Sequence, residues 1–141
     1  MNIMVDTNVI LDDILNRAPN AESARKISQL ATDDLVKCYL TANCLTDIFY
    51  IVSKSLNEMA ARATIKNLLL SFAVVGVDGE DCRRAIDLPM GDFEDALVVV
   101  CAEKAVLNYI VTNDKGFLSD TDLSVPTISP ANFLLSLDQY Y

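Results

Sequence analysis

The chain has 141 residues, a length that suits one domain around one core. Hydrophobic residues make up 52% and charged residues 22%, which excludes general disorder, and the absence of histidine excludes His-based triads, imidazole acid–base chemistry and imidazole metal ligands. A net charge of −9 opposes a broad nucleic-acid-binding face, because phosphates are repelled, and it favours basic partners.

Taken in chain order, residues 2–5 predict a short buried strand and residues 9–15 a helix start. Between them stands Asp6-Thr7-Asn8, three polar residues inside an otherwise apolar stretch. Residues 20–32 predict a helix with Asn20 as its N-cap, Glu22 nearby, and Ala24, Ile27, Leu30 and Ala31 on one face. A strand over 35–41 and two helices over 43–55 and 58–71 follow. "SFAVVGVDG" holds a short strand ending near Val77, and "EDCRRAIDLPM" begins a helix that Pro89 stops. "DFEDALVVVCAEKA" is helical by length and position despite its β-branched run. Residues 107–112 predict a strand, "SVPTIS" a last one, and a short C-terminal helix closes the chain.

No repeat, linker or low-complexity tract interrupts this order, and four glycines and four prolines fall at plausible turns. The longest apolar windows are far too short to span a bilayer, and Asp6 sits where a signal sequence needs apolar residues, so neither a membrane segment nor a signal peptide is expected. Cys38, Cys44, Cys82 and Cys101 form no CxxC pair and lie mostly in apolar contexts. They read as reduced core thiols of a cytoplasmic protein.

Short apolar strands alternating with helices predict an α/β fold with a mostly parallel sheet, and such sheets bind ligands outside the carboxyl ends of their strands. Four segments deliver an acid to that edge. Asp6 follows the first strand and Asp114 follows the strand 107–112. Asp95 lies in the first turn of the helix leading into that strand, and Asp47 lies in the first turns of the helix after 35–41. Each has a plainer reading. Asp6 serves equally well as a turn former or N-cap, Asp114 as a turn residue with Lys115-Gly116 behind it, and Asp47 and Asp95 as first-turn acids that favour the helix dipole. Crowded carboxylates, however, repel one another and raise each other's pKa values, and a hard divalent cation removes the conflict. Such a site suits hydrolysis of a phosphodiester.

"VDTNVILD" at 5–12, "LTDIFYIV" at 45–52, "DFEDALVVVCAEKA" at 92–105 and "YIVTNDKGF" at 109–117 together resemble the PIN-domain family, whose bacterial members include toxin ribonucleases of VapBC-type toxin–antitoxin pairs. The likeness covers essentially the whole chain in the family's order and spacing. It implies a three-layer α/β/α fold with a central, mostly parallel sheet, and a Mg²⁺- or Mn²⁺-dependent endoribonuclease. By position, the catalytic acids would be Asp6, Asp47, Asp95 and Asp114. Asp6, Asp95 and Asp114 would hold the metal. Asp47, where the family often has glutamate, would reach it only through water. Thr7, Asn8, Asp92, Thr112 and Asn113 would orient the acids or a phosphate. An RNA substrate and a cognate antitoxin with basic side chains are the partners implied, and the apolar excess of the chain adds a homodimer contact as an expectation.

Lys54, Arg62, Lys66, Arg83, Arg84 and Lys115 are the cations available to flank an RNA cleft, although each alone reads as solvated surface. Three rival readings remain open. A catalytically silent PIN-like module that binds RNA or protein is the main alternative. A phosphatase with Asp6 as nucleophile lacks the expected DxD, since position 8 is Asn. A flavodoxin-like regulatory domain wants a lysine after a late strand, and Lys115 follows Asp114 too closely to match.

Overall fold

The first strand already shows how the molecule is layered. In β1 (Asn2–Val5), Ile3 and Val5 point into one apolar cluster and Met4 into another, the alternation of a strand buried on both faces. The same alternation recurs in β2 (Lys37–Thr41), where Cys38 and Leu40 face the first cluster and Tyr39 the second. It recurs again in β4 (Tyr109–Val111), with Ile110 on the second side. With β3 (Ala73–Val75) and β5 (Thr127–Ile128), these strands form a five-stranded, all-parallel sheet in the order β3-β2-β1-β4-β5. The computed structural model describes residues 1–139.

Five helices cover the first face: α1 (Thr7–Ile14), α2 (Ala21–Thr32), α3 (Ala42–Ser55), α4 (Glu58–Ser71) and α8 (Pro130–Asp138). The second face carries α5 (Gly79–Ile86), α6 (Phe93–Lys104) and the short α7 (Lys115–Ser119). The result is a three-layer α/β/α fold. No helix among the described residues is long and apolar enough to cross a membrane.

Helix α6 explains its own β-branched run. Ala96 through Ala102 are all buried, so Val98, Val99 and Val100 gain packing that outweighs their modest helix propensity. Its ends are favourable too: the Asp92 carboxylate accepts from the Asp95 N–H at 3.0 Å, acids fill the first turn, and Lys104 stands in the last.

Several expected boundaries shift for identifiable reasons. The strand expected over 35–41 begins at Lys37, because Asp34 takes a left-handed φ of 55° and the N–H groups of Leu35 and Val36 turn back to the Leu30 carbonyl. The strand expected over 107–112 contracts to 109–111. Val106 has φ 57° and the Leu107 N–H closes the end of α6 on the Ala102 carbonyl. β3 ends at Val75, where its pairing with β2 ends, rather than near Val77. Helix α1 starts at Thr7, two residues early, because Asp6 caps it. Asn20 occupies the N-cap of α2, but its side chain makes no capping bond. Helix α5 ends at Ile86, ahead of Pro89.

Candidate active site

The strand order reverses at β1. The chain runs outward from β1 through β2 to β3, then returns to lay β4 on the other side of β1. Ligand crevices of open parallel sheets form at such a switch point, outside the carboxyl ends of the strands. Asp6 follows β1 and Asp114 stands three residues past the end of β4, so both stand at that edge of the sheet. The Asp6 N–H donates to the Val111 carbonyl at 2.9 Å, which ties the two strand ends together.

Asp6 is only 9% exposed, and its carboxylate is well supplied with donors. Oδ1 accepts from the Thr7 N–H at 2.9 Å. Oδ2 accepts from the Thr112 hydroxyl at 2.8 Å and from Asn8 Nδ2 at 3.2 Å. Thr112 is fully buried and its Oγ1 also accepts from the Asp114 N–H at 3.1 Å. Asn8 closes the circle: its Oδ1 accepts from the Asn113 N–H at 3.2 Å. The Asp114 carboxylate accepts from the Gly116 and Phe117 N–H groups at 2.8 and 3.4 Å and so caps α7, a helix the sequence reading passes over as a turn. Asp6 and Asp114 are therefore N-caps that also face the crevice; the plain reading and the functional one coexist in the same atoms.

Burial raises the pKa of Asp6, hydrogen bonds from Thr112 and Thr7 oppose this, and the charges of Asp114 and Asp92 raise it further. Asp95, half-buried in the first turn of α6, is pushed up to about 7, first by burial and then by the charges of Asp92, Asp6, Asp114 and Glu94. Three segments thus bring mutually repelling carboxylates to one edge. Asp47, half-buried in the second turn of α3, pairs differently. Its charge acts on Glu94, whose pKa is raised first by burial and then by the Asp47 charge. Cys44 lies against the same group; burial drives its thiol up to about 12.

Two residues of this region escape a reading of the sequence. Glu94 sits beside Asp95 and looks like one more first-turn acid. Asp12 is 7% exposed, accepts from Arg17 Nε at 2.9 Å and from Asn113 Nδ2 at 2.8 Å, and lies one helical turn beyond Asn8. That i,i+4 spacing was the available signal. Of the cations considered for RNA, Arg62 pairs with Glu58, Arg83 with Glu80 and Arg84 with Glu103, while Lys54 lies over the Tyr50 ring. Lys115 is exposed beside Asp114.

The donor set is all oxygen and mutually repelling, which fits a hard divalent ion such as Mg²⁺ or Mn²⁺ and not a soft one. Among the described residues no three His, Cys, Asp or Glu side chains are drawn into a set that could hold a metal ion.

Comparison with known proteins gives a consistent picture. A family model described as PIN domain matches residues 2–116. Ribonuclease VapC1 of Aquifex aeolicus is 27% identical over 130 residues, covering 89% of each chain. Among solved structures, VapC20 of Mycobacterium tuberculosis, a sarcin–ricin loop cleaving toxin, superposes with a TM-score of 0.68 at 17% identity, over 88% of this chain and 98% of that one. The DNA-bound VapBC of Salmonella typhimurium gives 0.67 at 19% identity, over 92% and 98%.

Proposed function

The chain belongs to the PIN-domain family, and from that premise we propose that its 141 residues form a single domain acting as a divalent-metal-dependent endoribonuclease, the toxin of a toxin–antitoxin pair. The observation that carries this reading is the delivery of Asp6, Asp95 and Asp114 from three separate segments to the switch point of the sheet, where each raises the burden of negative charge on the others. These three would hold Mg²⁺ or Mn²⁺, with Asp47 and Glu94 as an adjoining carboxyl pair and Asp92 one turn away. When bound, such an ion neutralises the acids and acts as a Lewis acid on the phosphodiester. Thr7, Asn8 and Thr112 fix the Asp6 carboxylate through its three hydrogen bonds, so its orientation is set before substrate arrives. Without the ion, Asp95 can hold or release a proton near neutrality.

The relatives support the partners. The homologue named a ribonuclease favours RNA as substrate, and the neighbour solved as a VapBC complex favours a cognate antitoxin. An antitoxin bringing basic side chains to the acidic edge would complement a chain of net charge −9. Exposed Leu56, Met59 and Leu70 around the α3–α4 hairpin give the antitoxin, or a second copy in a homodimer, apolar surface to cover. Four free cysteines suit the reducing cytoplasm.

The test is cleavage of a mixed, structured RNA pool by the purified protein with Mg²⁺ or Mn²⁺ against EDTA, alongside Asp6→Asn. Metal-dependent cutting that the variant loses is the expected result. A folded protein that neither binds Mn²⁺ nor cuts any RNA would leave the silent binding module as the better reading.

A further inference from the structure

Asp12 presents a physical problem of its own. It is a carboxylate on α1 with 7% exposure, at a position where Val9, Ile10 and Leu11 enter the core. Burying a charge is costly, and a buried ion pair is seldom kept for stability, since well-packed apolar residues do as well. Arg17, just past the helix, supplies the counter-charge through Nε at 2.9 Å and also donates to the Asn8 carbonyl at 3.3 Å. The second carboxylate oxygen of Asp12 does something else. It accepts from Asn113 Nδ2 at 2.8 Å, across 101 residues of sequence.

Asn113 is therefore held at both ends by the same helix. Its backbone N–H donates to Asn8 Oδ1, and its side chain to Asp12. Residues 112–114 have no secondary structure of their own, and they carry Asp114 past the end of β4. Asp114 and Asp6 repel each other. With nothing to hold it, a short irregular segment bearing a like charge relaxes away from its neighbour. The two bonds to α1 oppose that relaxation, and Arg17 neutralises Asp12, so that the clamp adds no net charge to the crevice.

We infer that Asp12 is a positioning residue of the cleavage site: through Asn113 it clamps the 112–114 segment, and with it Asp114, against the helix that begins at Asp6. The inference rests on the nuclease reading. Asp12 acts through Asn113, keeping Asp114 beside Asp6, where the two acids and Asp95 would hold an ion.

The experiment measures Mn²⁺ affinity by electron paramagnetic resonance on the full chain, for wild type, Asp12→Asn, Asn113→Ala and the double variant, each with a thermal melt. Asp12→Asn and Asn113→Ala are each expected to weaken Mn²⁺ binding by about 10-fold or more, the usual effect of losing a group that orients a metal ligand. The double variant is expected to lose about as much as either alone, because both act on the same link: an asparagine at position 12 has one acceptor oxygen left for two donors, Arg17 and Asn113, and Asn113→Ala removes the donor outright. Cleavage of RNA should fall through kcat with KM little changed. Folded variants that bind Mn²⁺ as wild type does overturn the inference and leave the nuclease intact. A wild type that binds no Mn²⁺ overturns the nuclease reading and the inference with it. Should Asp12→Asn fail to fold, Asn113→Ala, which leaves the Asp12–Arg17 pair in place, decides the matter by the same measurement.

Discussion

Asp95→Asn should make the metal-free protein more stable, and by an amount that depends on pH in one direction only. The Asp95 carboxyl is raised from 3.8 to about 7 by burial and by four neighbouring acids. A folded-state pKa above the unfolded one means that this group's contribution to stability is full below about pH 4 and is lost as pH rises through about 7. The whole shift would correspond to about 4 kcal/mol, but Asp92 and Asp114 are exposed and solvent screens them, leaving about 1–2 kcal/mol. For a chain of this length that is about 3–8 °C in melting temperature. Asparagine removes the charge at nearly constant size, and the Asp95 side chain makes no hydrogen bond among the described residues that the change would break. The assay is thermal unfolding in EDTA from about pH 4 to about pH 8. The variant's advantage should be absent at the acid end, open between about 6 and 8, and shrink in high salt. Added Mn²⁺ should reverse the order, because the ion stabilises only the wild type strongly. Parallel melting curves for the two proteins across that range would refute the repulsion on which the site assignment stands.

Phe117→Ala should cost about 3–5 kcal/mol, as expected for a fully buried aromatic, and should also weaken Mn²⁺ binding, because Phe117 anchors the helix that Asp114 caps; chemical denaturation and metal titration check both. Thiol labelling of the native protein with a neutral alkylating reagent should modify Cys82 first, since it is half-buried while Cys38, Cys44 and Cys101 are buried, and burial pushes the thiols of Cys38 and Cys44 up to about 12; mass mapping that finds Cys44 labelled first would contradict this.

The sheet was legible because strands buried on both faces leave unbroken apolar runs, and Ile3-Met4-Val5 and Tyr109-Ile110-Val111 are such runs. The rule that crevices open at the carboxyl edge then located Asp6, Asp95 and Asp114 without coordinates. What stayed hidden depends on tertiary hydrogen bonds. The i,i+4 spacing puts Asp12 on the same helix face as Asn8, but nothing local names Asn113 as its partner, because that bond spans 101 residues. Helix α7 was missed for the opposite reason. Five residues are too few for a periodic pattern, and only the Asp114 cap and buried Phe117 define it. The Asp47 charge bears on Glu94, a residue whose position next to Asp95 disguises it in the sequence.

The charge balance finally decides how RNA can be gripped. Seven of the eleven Lys and Arg side chains stand in ion pairs with acids of the chain itself. Of the others, Lys54 lies over Tyr50, Lys37 opens β2 at the amino edge of the sheet, Lys66 is on α4, and Lys115 adjoins Asp114. The proposed nuclease could not rely on a basic face to release counterions. Its RNA affinity should therefore fall only gently with salt, with a slope corresponding to about one or two phosphates, and Lys115→Ala should remove about one of them. Binding of a non-cleaved RNA at constant Mn²⁺ and rising KCl gives the slope directly. A slope of about six or more would mean that a basic surface, supplied by a partner or by rearranged ion pairs, does the gripping, and that the metal-bearing acid edge is not the main anchor for phosphate.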